Sequence, residues 1–559
     1  MIALGLNYGH DSGVTIIKNS KILFAINEER LSRKKLHIGF PYKSVLESIK
    51  KANIKISQIN LIYIEGKKFS PMSENEDYSK NNWKKIFLNI FGLDNFFLGT
   101  KIGIKMASYL LFFNTFFKKQ KIKYFFRQKG FKGKFKFIDH HLAHASSAYY
   151  IQPNDDGLCI TMDASGEGYC SKVYKCKNNK MKLLHSIECY KSPGYYYAYI
   201  TQLLGFRPLR HEGKVLGLAA HGDGRKVKNI LNNFIYFNEN KLTFINLGGH
   251  HDIVYKKLKK NLYSFKKKDI AAGIQLHLED LVMNYISNII KRFRNNKPTN
   301  LFLSGGVFAN VKLNQLLAKY KYIKNIFVTP NMGDGGLNLG CALIARKKKI
   351  NFKNVYSGKI KFNYSCIEKY KKKITILKPK NKFNFISEQL SKKKIIALCN
   401  GNMEYGPRAL GNRSIICSAK NKKINNFLNK KLNRTEFMPF APIVLAEDFD
   451  KYFYKNKKIN TYKFMTFTCK VKKICKKEAP AVVHVDNTAR PQVVDKKSNL
   501  FLYKILKSYK KKTGCGILIN TSLNIHEEPI VFTFEDAIKS VLYSSLDYLI
   551  NDKIIIKNK

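Results

Sequence analysis

Two histidines four residues apart, His140 and His144, stand in the run Asp139-His-His-Leu-Ala-His-Ala145. Residues at i and i+4 share one face of a helix, so both imidazoles can turn toward a single ion. The apolar run Leu158-Cys-Ile-Thr-Met162 that follows reads as a strand, and Asp163 closes it ahead of Ala-Ser-Gly-Glu-Gly168. A carboxylate at that point supplies a hard oxygen ligand from a neighbouring loop. Two imidazoles and a carboxylate suit Fe(II), Mn(II) or Zn(II). The plain alternative is a helix that carries histidines near its start by chance. The aspartate and glycine loop in register favour the metal site.

A second chemistry is carried by arginine. Only 13 of the 101 basic residues are arginines, while Lys, Asn, Ile, Phe and Tyr abound and Trp occurs once. That residue set matches an A+T-rich coding sequence, with lysine as the default cation on solvated faces. An arginine kept against such a bias marks a need for its planar, bidentate fork. Beyond residue 380 there are four: Arg408, Arg413, Arg434 and Arg490. The same bias explains the formal net charge of +62 without a dedicated nucleic-acid role. Unspecific attraction to polyanions is expected regardless.

Elements that could position these residues follow from patterning. A chain of 559 residues exceeds one core, and two or more domains are expected. Short apolar runs at 2–8, 13–17 and 22–26 surround the polar turn Gly9-His-Asp-Ser-Gly13, and the theme recurs at 158–162, 163–168 and 169–174. Between the two copies lies a helical region, from about residue 40 to 130. Leu301-Phe-Leu-Ser-Gly-Gly-Val307 is a strand entering a glycine turn before a helix at 309–319. Ile326 to Gly336 is a strand whose loop opens an apolar helix at 337–345. Duplicated hairpins followed by strand–Gly-Gly–helix units are how actin-like nucleotide folds present phosphate-binding edges. From Arg346 to about Lys380 the chain is lysine-dense and weakly patterned. A second α/β unit then has strands at 394–399, 516–520 and 548–550 and a helix at 534–542.

The eleven cysteines are scattered without a Cys-x-x-Cys pair, which points to a reducing compartment. The N-terminus has neither the basic start nor the apolar core of a signal peptide. The most apolar, aromatic stretch, Met106 to Phe117, is about half a bilayer span. It reads as a buried helix or, second, as a surface touching membrane or a partner. A cytoplasmic protein without a transmembrane segment is expected. Its oligomeric state is not legible.

Assembled in order, these residues resemble the NodU/CmcH family of O-carbamoyltransferases over nearly the whole length. The resemblance rests on Gly9-His-Asp-Ser12, Asn27-Glu-Glu-Arg30, Asp139-His-His-Leu-Ala-His-Ala145 and His211-Glu-Gly-Lys-Val-Leu-Gly217. It continues through Ser304-Gly-Gly-Val307, Gly333-Asp-Gly-Gly-Leu-Asn338 and Glu404-Tyr-Gly-Pro-Arg-Ala-Leu-Gly-Asn-Arg-Ser414, then Pro439-Phe-Ala-Pro442 and Asn520-Thr-Ser-Leu-Asn524. What it implies is an α/β protein with a duplicated, actin-like ASKHA (Kae1-like) domain over 1–350. A linker over 351–380 and a YrdC-like α/β domain over 381–559 complete it. The second domain would make carbamoyladenylate from ATP and carbamoyl phosphate. The first would transfer the carbamoyl group to a hydroxyl of a small-molecule or glycan acceptor.

Carried over by position, the metal ligands would be His140, His144, Asp163 and Asp334, with Fe(II) the expected ion and Mg(II) possible with ATP. Arg408 and Arg490 would grip the carbamoyl oxyanions. Arg434 and Arg413 are second choices, and Asn520, Thr521 and Ser522 would form a phosphate-facing turn. Ser304, Gly305, Gly306 and Asn310 would hold the adenosine side, Lys214 a phosphate, and His10 and Asp11 would act as base or phosphate contact. Three positions depart from the family pattern. Leu432 and Met438 stand where lysine and arginine are expected, and Asn402 where arginine is. Lys430 and Lys431 would compensate. Two other readings stay open: tRNA threonylcarbamoylation on the same two domains, and a non-enzymatic polyanion binder.

Overall fold

The computed structural model describes residues 1–67, 100–110, 112–358, 360–432 and 438–559. Arg434 lies outside them. The chain forms two compact units, one of residues 1–21, 38–40 and 54–351, the other of 22–37, 41–53 and 352–559. The N-terminal domain expected over 1–350 is therefore not continuous, because 22–37 and 41–53 pack with the second unit.

The first unit is built on a repeated pattern. In one sheet, Gly13–Lys18 runs antiparallel to Ile2–Asn7, which is parallel to Leu61–Glu65, itself parallel to Lys134–Ile138. In the other, Lys180–Glu188 and Tyr169–Lys177 are antiparallel, as are Tyr169–Lys177 and Gly157–Gly166. Gly157–Gly166 then runs parallel to Thr299–Ser304, and Thr299–Ser304 to Ile323–Val328. Both sheets thus set a hairpin beside two parallel strands, which is the duplication the hairpin motifs predict. The central strands Ile2–Asn7 and Thr299–Ser304 are almost wholly buried and mainly apolar because both faces are covered. Two helices, His140–Tyr149 and Leu337–Ile344, lie so close that a Cβ on Gly340 would collide with the Ala143 carbonyl. This approach brings the loop before Leu337 to the start of the histidine helix.

The stretch from Met106 to Phe117 corrects the buried-helix reading. It falls on helices Lys101–Leu110 and Phe112–Gln128, and Met106, Tyr109, Phe113, Phe116 and Phe117 are exposed.

The second unit is an α/β layer on an eight-stranded sheet. Its order is Ile374–Leu377, Ile555–Asn558, Tyr548–Ile550, Ile396–Cys399, Arg413–Ser418, Ile517–Ser522, Ala441–Leu445 and Gln492–Val494. Helices Lys382–Ser391 and Leu500–Thr513 cover one face, closing a core of Ile386, Leu390, Leu398, Ile416, Leu502 and Leu506. The expected linker is part of this unit, since Ile374–Leu377 is its edge strand. Phe24 and Ile26 join Met403 and Phe532 in a smaller apolar cluster, which shows why the interleaved segment belongs here. Arg30 fastens it further through Nη2 to the Gly406 carbonyl at 2.7 Å.

Candidate functional site

The helix His140–Tyr149 starts where it does because Asp139 caps it, accepting from the Leu142 amide at 3.0 Å. The other Asp139 oxygen is 2.5 Å from Lys172 Nζ, and this pairing holds the Asp139 carboxyl well below the usual carboxylate range against the opposing effect of burial. From this fixed start, His140 and His144 face the same side, as their spacing predicts. The intervening His141 faces away: Nδ1 is 2.9 Å from Thr161 Oγ1 and Nε2 3.0 Å from the Tyr169 carbonyl. Burial, then the charges of His140 and Lys172, push its pKa down to about 3, so it is a neutral core histidine.

Asp163 enters from the second sheet, at an irregularity in the pairing of its strand between Met162 and Gly166. Such a break re-aims a side chain. Its carboxylate accepts from the Ala164 amide at 2.8 Å and the Gly306 amide at 2.9 Å. Asp334 comes from the loop before Leu337. Asn7 fixes that loop, its Nδ2 donating to the carbonyls of His10 and Asp334 at 2.9 and 3.0 Å. Gly166 leaves room for the His140 ring, which a Cβ there would strike.

One ligand atom each from His140, His144, Asp163 and Asp334 lies within 4.8 Å of all the others. The Nε2 atoms of both histidines are buried without a hydrogen-bond partner. His144 Nε2 stands 3.4 Å from both Asp163 and Asp334, and His140 Nε2 3.7 Å from Asp334. These separations exceed ordinary N–H···O bonds and suit ligands spread around an ion. The opposite ring atoms are held: His140 Nδ1 is 3.1 Å from Glu65 Oε1 and His144 Nδ1 3.1 Å from Ser304 Oγ. Holding Nδ1 in this way aims Nε2 and fixes the tautomer. Burial disfavours a charge on His140, yet Glu65, Asp334 and Asp163 outweigh it and raise its pKa to about 10. Asp163, with His144 beside it, lies well below the usual carboxylate range despite burial. The pocket therefore favours positive charge at its centre, which a divalent cation supplies. The donor set, two imidazoles and two carboxylates, fits such an ion.

The remaining expected residues fall in several places. His10 Nδ1 is 3.8 Å from Asp334 Oδ2 and partly exposed, so it stands at the rim of the cluster. Asp11 is in the left-handed region at φ 49°. Ser304 and Gly306 contact the cluster itself, through His144 and Asp163. Gly305 takes φ 106°, and a Cβ would collide with the Met162 backbone; its amide donates to the Met332 carbonyl at 2.7 Å. Asn310 caps the helix Val311–Leu317 and pairs with Gln275 at 2.8 Å. Lys214 lies on the helix Glu212–Ala219 with its ammonium 6.0 Å from the Phe206 ring.

In the second unit, Glu404 Oε1 accepts from the amides of Leu410, Asn412 and Arg413 at 2.8, 2.7 and 3.1 Å. It thereby shapes the loop that carries Arg408. Gln492 donates to the Leu410 carbonyl and Asn520 to the Ala409 carbonyl, and the two amide side chains bond each other at 2.8 Å. Arg408, next to Ala409, and Arg490, two residues before Gln492, thus come to one edge of the sheet with Thr521 and Ser522. Arg413 and Asn520 prove to be struts. The fully buried Arg413 guanidinium donates to the carbonyls of Asn400 and Asn412, both at 2.9 Å, and lies 5.0 Å from the Phe362 ring. Of the departures from pattern, Leu432 is buried, Asn402 accepts from Asn412 Nδ2 at 2.6 Å, and Lys431 donates to the Ser545 carbonyl.

Sequence reasoning missed Glu65, Glu404 and Asn7. Glu65 had a usable signal, since like Asp163 it is an acid closing an apolar strand ahead of a glycine.

Residues 2–343 match the family model described as the carbamoyltransferase N-terminus, and residues 387–558 that described as the carbamoyltransferase C-terminus. The chain is 33% identical over 569 residues to an uncharacterized protein of Methanocaldococcus jannaschii, covering 98% of each. It is 28% identical to the nodulation protein NolNO of Sinorhizobium fredii, over 98% of this chain and 79% of that one. With the 3'-hydroxymethylcephem-O-carbamoyltransferase of Streptomyces clavuligerus it shares 26% over 72% and 76% of the respective chains. Among solved structures, component A of (R)-2-hydroxyglutaryl-CoA dehydratase from Acidaminococcus fermentans aligns with 62% of this chain and 97% of its own. Identity there is 14% and the TM-score 0.35.

Proposed function

The chain belongs to the carbamoyltransferase family, and from that premise we infer an O-carbamoyltransferase that uses ATP and carbamoyl phosphate and works through carbamoyladenylate. The observation that carries the reading is the convergence of His140, His144, Asp163 and Asp334 with both Nε2 atoms buried and unpartnered. Water hydrolyses carbamoyl phosphate to carbamate and phosphate. A carbamate oxygen then attacks the α-phosphorus of ATP, pyrophosphate leaves, and carbamoyladenylate forms. In the second half-reaction an acceptor hydroxyl attacks the carbamoyl carbon and AMP leaves.

Arg408 and Arg490 suit the first half. Both carry the forked guanidinium that carboxylate-like and phosphate oxyanions prefer, and both stand at the edge organised by Glu404, Gln492 and Asn520. The YrdC-like assignment of the second unit belongs to this reading. In the first unit the four ligands would hold a divalent ion, Fe(II) by preference, which supplies Lewis-acid polarisation and a template for phosphate and carbamoyl oxygens. Glu65 and Ser304 keep the histidine rings aimed, while the Gly306 and Ala164 amides fix Asp163. His10, at the rim and 3.8 Å from Asp334, would accept the proton of the acceptor hydroxyl. The acceptor would be a small-molecule or glycan alcohol, by analogy with the cephem relative, whose name states a hydroxymethyl acceptor.

The test is pyrophosphate release from ATP with and without carbamoyl phosphate, followed by transfer of labelled carbamoyl to a panel of sugars and hydroxymethyl compounds. Release that depends on carbamoyl phosphate is expected. Its absence from folded, ATP-binding protein would overturn the donor assignment. Label taken up only by tRNA, and only with threonine and bicarbonate, would replace this reading with tRNA threonylcarbamoylation.

A further inference from the structure

Helices Lys101–Leu110 and Phe112–Gln128 are apolar on two opposite sides. Toward the interior they bury Ile104, Ile122 and Phe126, and the Phe126 ring packs edge-on against Phe131 and Phe40. The outward side carries Ile102, Met106 and Tyr109 on the first helix. On the second it carries Phe113, Phe116, Phe117 and Tyr124, with Ile102 and Phe113 exposed to 68% and 71%. At about 100° per residue, the first three fall within an arc of about 60° and the other four within about 100°. Exposed apolar side chains grouped on one side of each helix in this way mark an interaction site.

Charge identifies the partner. Between Thr100 and Ile138 the chain has eleven basic residues and no acidic one. Lys101, Lys105 and Lys121 are exposed beside the apolar stripe. A second copy of so basic a face would be repelled. Nucleic acid would answer the lysines but leave the aliphatic Ile102 and Met106 without a use. We propose that this face docks on the surface of an anionic lipid membrane. The aromatic and aliphatic side chains enter the boundary between headgroups and acyl chains, and the flanking lysines meet the lipid charge. Attachment is peripheral, because no helix among the described residues is long and apolar enough to cross a membrane.

Co-sedimentation of the full chain with vesicles tests this. Vesicles of phosphatidylcholine mixed with phosphatidylglycerol should bind the protein, and vesicles of phosphatidylcholine alone should not. Net charge alone would also draw the chain to anionic lipid, so the decisive variant leaves charge unchanged. Phe113→Ser combined with Phe117→Ser should weaken vesicle binding on the order of tenfold or more, with an unchanged thermal melt as the fold control. Equal binding by this variant overturns the proposal. So does a variant that loses self-association or binding to a single-stranded oligonucleotide while keeping its vesicle affinity. Independently, Tyr109→Trp in a Trp83→Phe background should shift its emission to the blue on anionic vesicles, and unchanged emission overturns the proposal as well.

Discussion

Each unit buries polar side chains, and the two differ in how the unmet atoms are arranged. In the first, His140 and His144 keep Nε2 atoms that nothing in the protein satisfies, while Glu65 and Ser304 hold the other side of each ring. In the second, Arg413 Nε, Glu404 Oε2 and Asn520 Oδ1 are unmet too, but on side chains whose other atoms are held by main chain. Arg413 donates to loop carbonyls, Glu404 accepts three amides, and Asn520 ties down Ala409. An unmet buried nitrogen costs free energy unless a ligand completes it, so the first pattern marks a place that binds. Side chains tied to main chain in this way frame the loop of Arg408, one of the two arginines proposed to bind the donor. Burial and residue type alone do not separate the two patterns. Convergence of the unmet atoms on one point does.

That contrast breaks most visibly at His144. If the cluster holds a metal as proposed, His144→Ala removes a ligand outright, and divalent-metal affinity should fall by more than the 10–100-fold typical of losing an outer partner. Carbamoyl transfer should be lost with it, while pyrophosphate release in the second unit survives. Metal content by elemental analysis and the two half-reaction assays read these separately. A variant that still transfers carbamoyl with no metal bound would sink the role given to the cluster.

In the second unit the opposite outcome is expected for Arg413. Arg413→Ala strips donors from the Asn400 and Asn412 carbonyls in a dry environment. At roughly 1–3 kcal/mol for each orphaned group, it should destabilise the unit by about 2–5 kcal/mol, read as a shift in the urea midpoint. Arg490→Ala should shift that midpoint less than Arg413→Ala does and instead abolish pyrophosphate release. If Arg413→Ala unfolds nothing and Arg490→Ala does, frame and grip have been assigned the wrong way round.

A subtler break is steric. Gly166→Ala sets a Cβ against the His140 ring, so the ring must move from its aim. Metal affinity should fall by about tenfold or more at nearly unchanged nucleotide affinity. Unaltered metal binding would mean that the ring position is not set by Gly166.

The legible part of this design is the local part. His140 and His144 could be paired because one helical turn relates them, and Asp163 because a strand ends on it. The hairpin duplication followed from alternating apolar runs and glycine turns. Asp334 came only with the family resemblance, because no spacing rule connects a loop to a helix nearly two hundred residues earlier. Glu65 lies 75 residues from the ring it holds, and the interleaving of 22–37 and 41–53 with the second unit rests on contacts such as Phe24 with Met403 and Phe532. Arg413 misled for a different reason. A planar fork suits two backbone carbonyls as well as one oxyanion, and only the fold shows which is present. The outward rings at Phe113 and Phe117 were read as core because composition reports how apolar a helix is and not which way its sides face.

Ser304 gives the smallest expected effect and the sharpest separation. The sequence motif Ser304-Gly-Gly306 invites a nucleotide role, since glycine turns cradle phosphate. The structure instead sets Ser304 Oγ at 3.1 Å from His144 Nδ1 and aims the Gly306 amide at Asp163. Ser304→Ala should therefore lower metal affinity by about tenfold through a less constrained His144. Affinity for ATP should stay the same, because the hydroxyl is fully buried within the cluster's support. The two readings predict opposite columns of one experiment: metal and ATP titrations on the same preparation. Weaker ATP binding at unchanged metal affinity would return Ser304 to the nucleotide. Weaker metal binding at unchanged ATP affinity would make it the hydroxyl that holds a ligand histidine in place, as Glu65 does for its neighbour one helical turn away.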